Sequence, residues 1–422
     1  MPNQPYIATN ADKFVWLITF ISFVSNFLFE AGDMGSPIAL ICTLLILVSI
    51  NFKFEVQIFH LMILQFTLFC YATAFWAMGY AYAIDKGNQL FFIFIQISIL
   101  YSYYKTLPTI DKLLEIAMYG GYFVVFVAFV FFGSGRFINM GEGSARLGGF
   151  GNANTLGMMA ATTIVINLYY FMDKKHRKLL LLAIPAIMVI AASQSRKAIF
   201  ILVVGTLILY FLKNIRGRKD NLLPVMKFFF FLALVIGLFV FLSKTGMFSG
   251  AMHRIDGLIA SITNEGNVDS STSKREFMRE IGWIQFSRTP LLGIGMGCAR
   301  ILAMKAMDLD CYLHCNYAEL AADGGIVGLV SYYIIFIYAF IKEMKYFKVD
   351  TMSSLIITLI IIRLTTDWGA VSYYKKTTYF YVMIYYLHIL YCQQKYKFIT
   401  TPRGPTTSYY RILVLAVPNV SA

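Results

Sequence analysis

Long apolar segments recur along the whole chain, separated by shorter polar segments. Stretches of roughly 18 or more apolar residues have the length of a helix that crosses a bilayer. The pattern predicts about twelve spans, at residues 14–29, 36–52, 56–80, 88–104, 113–133, 153–172, 178–194, 196–213, 225–248, 322–341, 353–370 and 376–394. We therefore expect an all-α polytopic membrane protein with one large outer loop that contains short helices.

The composition agrees with this expectation. Of the 422 residues, 59% are hydrophobic, which is more apolar surface than a soluble protein of this size can bury. The first apolar segment is followed by Glu30 and Asp33 instead of a small-residue cleavage site, so it is predicted to be a span and not a cleaved signal. Residues 1–399 form a single predicted domain. Residues 400–422 are interpreted as a tail that is either disordered or introduced by cloning.

Loops rich in lysine and arginine alternate along the chain with loops that contain few of these residues. The net charge of +14 comes largely from short loops, such as the one with Lys174, Lys175 and Arg177. Loops rich in lysine and arginine mark the cytoplasmic side of a membrane protein. Both termini are therefore predicted in the cytoplasm, and residues 134–152 and 249–316 on the outer face. This distribution explains the charge without nucleic acid as a partner.

A glycine-rich segment precedes the sixth predicted span. It runs from Arg146 through Gly148, Gly149 and Gly151 to Asn154. Glycines let a backbone approach a ligand, and Asn154 is predicted to cap the following helix, whose N–H groups would then face outward and suit a phosphate. An ordinary turn at the start of a helix explains the same residues equally well.

Two cations stand where the spans 178–194 and 196–213 meet with almost no loop. Arg196 and Lys197 follow Ser195 and are predicted to lie at the outer membrane surface. A guanidinium offers a bidentate fork to a diphosphate. The alternative is that both side chains only reach from a helix end toward the headgroups.

The long outer loop contains a second pair of cations. Ser273 and Glu276 have the spacing of a capping box, which predicts a short amphipathic helix from Ser273 to about Phe286. Arg275 and Arg279 lie four residues apart and share one face of that helix. The helix would hold them near the lipid headgroups, although loop arginines are usually just solvated.

His314 ends the same loop, with Asn316 and Glu319 shortly after it. A neutral imidazole can take a proton from a sugar hydroxyl near neutral pH. A single histidine is more often structural, but its place between the loop and the next span favours a catalytic role.

Other polar residues in the sequence leave their roles open. Arg363 lies within the eleventh predicted span with Asp367 one turn later, which fits either a functional charge or a structural ion pair. The six cysteines show no metal-ligand spacing, and no two histidines form a metal-binding pair at helical spacing. One disulfide is allowed among Cys298, Cys311 and Cys315.

Taken in order, these segments resemble the O-antigen ligase and polysaccharide polymerase superfamily. The resemblance spans about residues 140–345 and rests on segments 146–154, 195–198, 275–295 (with Pro290-Leu291-Leu292-Gly293-Ile294-Gly295) and 314–320. It implies a bacterial glycosyltransferase with a GT-C-like helical bundle in the inner membrane. Such an enzyme takes a glycan from undecaprenyl diphosphate on the periplasmic or outer face, and it uses no nucleotide sugar, cofactor or metal.

The resemblance also implies roles for individual residues. Arg196 and Arg275 would hold the diphosphate, with Arg279 as the alternative loop arginine, and His314 would position or deprotonate the acceptor hydroxyl. The remaining candidates for substrate binding are Arg146, Asn154, Lys197, Arg279, Asn316 and Glu319.

Two departures from the ligase pattern favour a polymerase of O-antigen, capsule or exopolysaccharide. Lys197 stands where ligases often have glycine, and Cys315 separates the histidine from the asparagine. The implied partners are a lipid-linked donor, a lipid-linked or lipid A–core acceptor and membrane lipids, and a chain-length regulator is left open. A ligase that transfers glycan to lipid A–core and a non-catalytic transporter of lipid-linked glycans are the rival hypotheses.

Overall fold

The computed structural model describes residues 9–28, 35–51, 56–133, 137, 147, 152–173, 176–216, 226, 237 and 270–396. Their regular structure is helical, with no strand in these ranges. The α-helices are α1 (Asn10–Leu28), α2 (Gly35–Ser49), α3 (Ile58–Ala72), α4 (Tyr80–Tyr104), α5 (Asp111–Phe132), α6 (Ala153–Met172), α7 (Ala183–Ser193), α8 (Arg196–Ile215), α9 (Ser270–Arg288), α10 (Ala299–Met307), α11 (Asn316–Tyr346), α12 (Met352–Thr366) and α13 (Lys376–Lys395). Short 3-10 helices extend α3 (Thr73–Phe75) and precede α7 (Arg177–Leu182).

Six helices in these ranges are long and apolar enough to cross a membrane. They are α1, α3 with its extension to Phe75, α5, α6, α8 and α11. Shorter apolar segments lie at Pro37–Ser49, Lys178–Ser193 and Met352–Thr366. The predicted class, an all-helical polytopic membrane protein, is confirmed. The number of spans stays a prediction, because most of residues 225–248 lies outside the described ranges.

Two predicted helix caps are wrong. The N-cap of α6 is Asn152, whose side chain accepts a hydrogen bond from the Asn154 N–H at 2.9 Å. The outer-loop helix α9 begins at Ser270, so Ser273 and Glu276 lie inside it and form no capping box. In both places several residues with capping side chains stand close together, and the local sequence does not decide among them.

Helix α11 organises the packing of the bundle. It contacts α3, α9, α12 and α13, while α6 packs against α5, α7 and α8. The core is apolar, and polar side chains inside it pair between helices. Gln96 donates to Ser22 Oγ at 3.0 Å, and Asn167 donates to the Tyr122 hydroxyl at 2.6 Å. Such pairs stabilise helix contacts where lipid offers no hydrogen bonds.

A second, smaller core holds the described part of the outer loop. Met278 of α9 packs there with Leu313 and with apolar residues of α10 and α11. The three outer-loop cysteines, Cys298, Cys311 and Cys315, are free thiols, so the disulfide that the sequence allows is not formed. Noncovalent packing therefore fixes α9 on the bundle.

Helix α11 is broken at Gly325, which has φ +61° and ψ −158°. The segment Pro290–Gly295 lies beside the break and supplies the missing backbone partners. Ile326 N–H donates to the Pro290 carbonyl at 2.8 Å, and Ile294 N–H donates to the Ala322 carbonyl at 3.0 Å. Backbone groups buried in a membrane protein need such partners. The Pro-Leu-Leu-Gly-Ile-Gly motif therefore joins the outer loop to α11.

We expect Gly325→Ala to unfold the protein at a much lower temperature than Gly133→Ala. Both glycines have positive φ, and an alanine there costs about 1–2 kcal/mol. A Cβ on Gly325 would also lie 2.4 Å from the Leu291 carbonyl carbon, whereas a Cβ on Gly133 meets no atom within 4 Å. The backbone clash should raise the total cost for Gly325→Ala to about 3 kcal/mol or more. Thermal unfolding of the detergent-purified proteins measures the difference, and equal melting temperatures would contradict this account.

Candidate functional site

Four helices begin around one cavity of about 280 Å³. They are α6, α8, α11 and α13, and the N-terminal end of a helix attracts anions through its N–H groups and its dipole. The lining residues are Asn26, Phe27, Asn152, Asn154, Thr155, Met158, Lys197, Tyr312, His314, Arg363, Ala370, Val371, Ser372, Tyr374, Lys375, Lys376, Thr377 and Thr378. The geometry is that of an anion site.

The side chains add four positive charges to this cavity. Lys197, Arg363, Lys375 and Lys376 line it, and no aspartate or glutamate is among its described lining residues. Lys197 is the second residue of α8, while Lys375 and Lys376 are the N-cap and first residue of α13. Cations at helix N-termini oppose the helix dipole. Lys197 Nζ also donates to the Gly369 carbonyl, so contacts within the fold offset part of this unfavourable placement.

Arg363 is held in place by a buried carboxylate. Its Nη1 lies 3.3 Å from Asp367 Oδ1, and Asp367 is fully buried. The same carboxylate accepts hydrogen bonds from Ser372 Oγ at 2.7 Å and from the Tyr333 hydroxyl at 3.1 Å. The structural ion pair that the sequence allowed is therefore present, while a functional role for Arg363 stays a prediction. The pair positions the guanidinium at the cavity wall.

Asn316 and Glu319 lie behind the cavity and are not among its described lining residues. The Asn316 carbonyl oxygen accepts the N–H groups of Ser372 and Tyr373 at 2.9 and 3.1 Å, and its amide donates to Asp367 at 3.3 Å. Glu319 accepts the Leu313 N–H at 2.8 Å. These side chains fix the two segments that carry the lining residues, 312–314 and 370–378.

His314 lies at the cavity wall in a strained backbone conformation. Its φ is +58°, in the left-handed region that a residue with a side chain seldom adopts. Its ring packs on Tyr312, with centroids 4.3 Å apart. Burial lowers the pKa of His314 to about 4, and the positive charges of Arg275 and Lys197 act in the same direction. The imidazole is therefore neutral at neutral pH.

A tight turn brings the starts of α6 and α8 together. Gln194 ends α7 with φ +49°, and the Ser195 side chain caps α8 by accepting the Ala198 N–H. Ser193 Oγ accepts the Ser195 N–H at 3.2 Å. Gly157 of α6 lets this turn approach, because a Cβ there would lie 2.4 Å from Ser193 Oγ. The two helix starts can therefore act on one ligand.

Arg196 connects the bundle to the outer-loop helix. Its Nη2 donates to Thr272 Oγ1 of α9 at 3.0 Å. Arg275 lies three residues after Thr272 on the same face of α9, and its charge acts on His314. Neither arginine is among the described residues that line the cavity, so both belong to its surroundings.

Arg279 occupies a different environment from Arg275. It lies 3.7 Å from the Glu276 carboxylate and stacks over the Trp368 ring at 5.4 Å. Because Arg275 is the loop arginine that influences His314, the geometry favours it over Arg279 as part of the site. The candidate Arg146 lies outside the described residues.

Of the sequence candidates, Asn154, Lys197 and His314 line the cavity together. Sequence reasoning missed Lys375 and Lys376. The sequence does contain an indication of them, because two adjacent lysines stand at the predicted outward end of the last span. The positive-inside rule expects few cations there.

Comparison with known proteins agrees with the motifs. A protein-family model described as O-antigen ligase matches residues 180–333. The matched segment contains Arg196, Arg275 and His314 and ends before Lys375. No curated protein matches the chain. The match confirms the resemblance and supports glycan transfer of the O-antigen ligase or polymerase type, on lipid-linked glycans.

His314 should titrate well below pH 6.5. Arg275→Gln should raise its pKa by removing a nearby positive charge, whereas Arg288→Gln, at the exposed end of α9, should not. Because the folded pKa is about 4 and the unfolded pKa is near 6.5, neutral His314 stabilises the fold fully above pH 6.5. That contribution falls away as the pH drops toward 4. NMR of labelled histidines, assigned with His314→Asn, measures the pKa, and a value at or above 6.5 would contradict the account.

Proposed function

We propose that this member of the O-antigen ligase and polymerase superfamily polymerises lipid-linked oligosaccharide repeat units into O-antigen, capsule or exopolysaccharide. The donor glycan is carried on undecaprenyl diphosphate, and transfer takes place at the outer face of the inner membrane with inversion at the anomeric carbon. The observation that carries the proposal is the cavity in which four cations and four helix starts surround a neutral imidazole.

The cavity is suited to the leaving group of this reaction. As the bond between the anomeric carbon and the diphosphate breaks, negative charge grows on the departing phosphate oxygens. Lys197, Arg363, Lys375 and Lys376 are fixed around that charge and stabilise the transition state without reorganising. A volume of about 280 Å³ is at the small end for a ligand pocket. We infer that it holds the diphosphate and the attached sugar, with the lipid and the remaining glycan outside.

Arg196 and Arg275 act from the neighbouring outer-loop helix. The hydrogen bond from Arg196 to Thr272 holds α9 against α8, and Arg275 follows one turn later. Both cations can turn toward the diphosphate when the donor binds. Their guanidinium groups add the bidentate contacts that lysines cannot make.

His314 is the proposed base for the acceptor hydroxyl. The hydroxyl oxygen attacks the anomeric carbon, the bond to the diphosphate breaks, and the hydroxyl proton passes to the imidazole. A base with a pKa near 4 is weak, but a bound diphosphate places negative charge beside it and raises that pKa. The imidazole thus becomes a stronger base when the donor is present.

The polymerase assignment rests on Lys197 and Cys315, which depart from the ligase pattern, while the description of the matching family favours a ligase. Reconstitution in liposomes separates the two. Purified protein receives lipid-linked repeat units, with and without lipid A–core. A ladder of products on the carrier lipid is the expected result, and transfer to the core alone would establish the ligase instead.

His314→Asn provides the matched inactive variant in that reconstitution. Asparagine tolerates positive φ better than most residues, so the backbone at this position can be kept. In the liposomes we expect a product loss of about 10²- to 10⁴-fold, and in cells that carry the variant the lipid-linked repeat units should still reach the outer leaflet. A variant that stopped their movement across the membrane, and not their joining, would identify a transporter.

Arg196→Ala and Arg275→Ala should each lower polymer formation by about 10²- to 10³-fold, because each removes a cation from the transition state. Arg288→Ala, at the exposed end of α9, is the control and should keep full activity. Size-exclusion chromatography checks that each variant is folded. If either arginine variant kept wild-type chain lengths, its role at the phosphate would be rejected.

A further inference from the structure

Three side chains of different chemistry converge at the end of the bundle opposite the cavity. His388 and Cys392 lie one turn apart on α13, and Asp350 lies between α11 and α12; all three are buried. Helix α13 begins at the cavity with Lys376 and carries His388 twelve residues later, so about 18 Å of helix separates the two places at 1.5 Å per residue. This cluster has no part in the proposed transfer reaction.

The distances within the cluster match the edges of a tetrahedral zinc site. Nε2 of His388 lies 3.1 Å from Asp350 Oδ1 and 3.5 Å from Cys392 Sγ. Zinc–ligand distances of about 2.0–2.1 Å to nitrogen or oxygen and about 2.3 Å to sulfur give tetrahedral edges of about 3.3 and 3.5 Å. The ligand atoms of the third pair, Asp350 and Cys392, lie within 4.8 Å of each other, so these side chains would have to move closer for one ion to contact all three atoms.

The other ring nitrogen of His388 has the partner that metal-binding histidines usually have. Nδ1 lies 2.9 and 3.0 Å from the two carboxylate oxygens of Glu343, which is fully buried. A carboxylate in this place fixes the proton on Nδ1 and leaves the Nε2 lone pair for a metal ion. The ligand and its orienting group are thus both present.

A plain ion pair accounts for only part of this arrangement. A charged His388 between Glu343 and Asp350 would explain both nitrogen contacts, with Lys395 3.7 Å from Asp350 as a further cation. In that arrangement Cys392 is only a weak hydrogen-bond partner of the nitrogen that Asp350 also faces. A thiolate, an imidazole and a carboxylate around one point are donors that zinc accepts together.

We propose that His388 Nε2, Cys392 Sγ and the Asp350 carboxylate bind a zinc ion, with Glu343 orienting the imidazole. The thiol gives up its proton when the metal binds. The ion would tie α13 to the segment between α11 and α12, and would act on stability and not on the transfer reaction.

The test uses the full chain in detergent, first with zinc chloride and then with cobalt chloride as a spectroscopic substitute. The wild type should retain about one zinc ion per chain, and its cobalt form should show a thiolate-to-cobalt charge-transfer band. Cys392→Ser should lose that band and bind zinc at least about 10-fold more weakly. Cys42→Ser, which changes another buried helical thiol, should match the wild type.

Either of two results would overturn the proposal: a wild type without zinc and without the band, or a Cys392→Ser protein that binds like the wild type. If Cys392→Ser does not fold, Asp350→Asn replaces it. That variant keeps a hydrogen-bonding side chain and removes the anionic ligand, so unchanged zinc affinity would be equally decisive against the site.

Discussion

The gathering of cations around one cavity, at the starts of helices, is the constraint on which the proposed function depends. Lys197, Lys375 and Lys376 all lie where the helix dipole is positive, and Arg363 faces the same space. Lys197 donates to the Gly369 carbonyl and Lys375 lies over the Tyr374 ring, but neither contact supplies a negative charge. The buried carboxylate of Asp367 offsets one of them. The other three line the same cavity, and the diphosphate of the proposed donor would offset their charge.

The break in α11 determines where the loop before this helix packs against the bundle, near the cavity that the four cations line. Residues Pro290–Gly295 complete the backbone hydrogen bonds around Gly325, and α9 ends just before them. The same helix α11 begins next to His314. One discontinuous helix thus positions both the proposed base and the helix that carries Arg275. Arg196 fixes the far end of α9 through Thr272. The catalytic proposal therefore depends on backbone geometry as much as on the charged side chains.

The sequence predicted much of the fold, because length and apolar content determine which segments can span a membrane. The motifs around Lys197 and His314 also predicted that these two residues belong to one site. The sequence did not predict the contacts between segments that lie far apart in the chain. The partners of Gly325 lie about thirty residues earlier in the chain, and nothing local to Arg363 or Lys375 indicates that they face His314. The predicted cap of α6 lies two residues too late, and that of α9 lies inside a helix that already includes Ser270, since neighbouring serines and asparagines can all act as caps. The pair His388 and Cys392 has helical spacing, but the carboxylates of Glu343 and Asp350 that face His388 come from a distant segment.

The most direct test of the central claim is the relative affinity of the detergent-purified wild type for an isoprenoid diphosphate and for the monophosphate of the same lipid. The lipid tail is identical, so the comparison isolates the phosphate charge that the cavity is proposed to bind. The account predicts that the diphosphate binds at least about 10-fold more tightly, and that this preference shrinks as salt is added. Equal affinity for the two lipids, unaffected by salt, would contradict it.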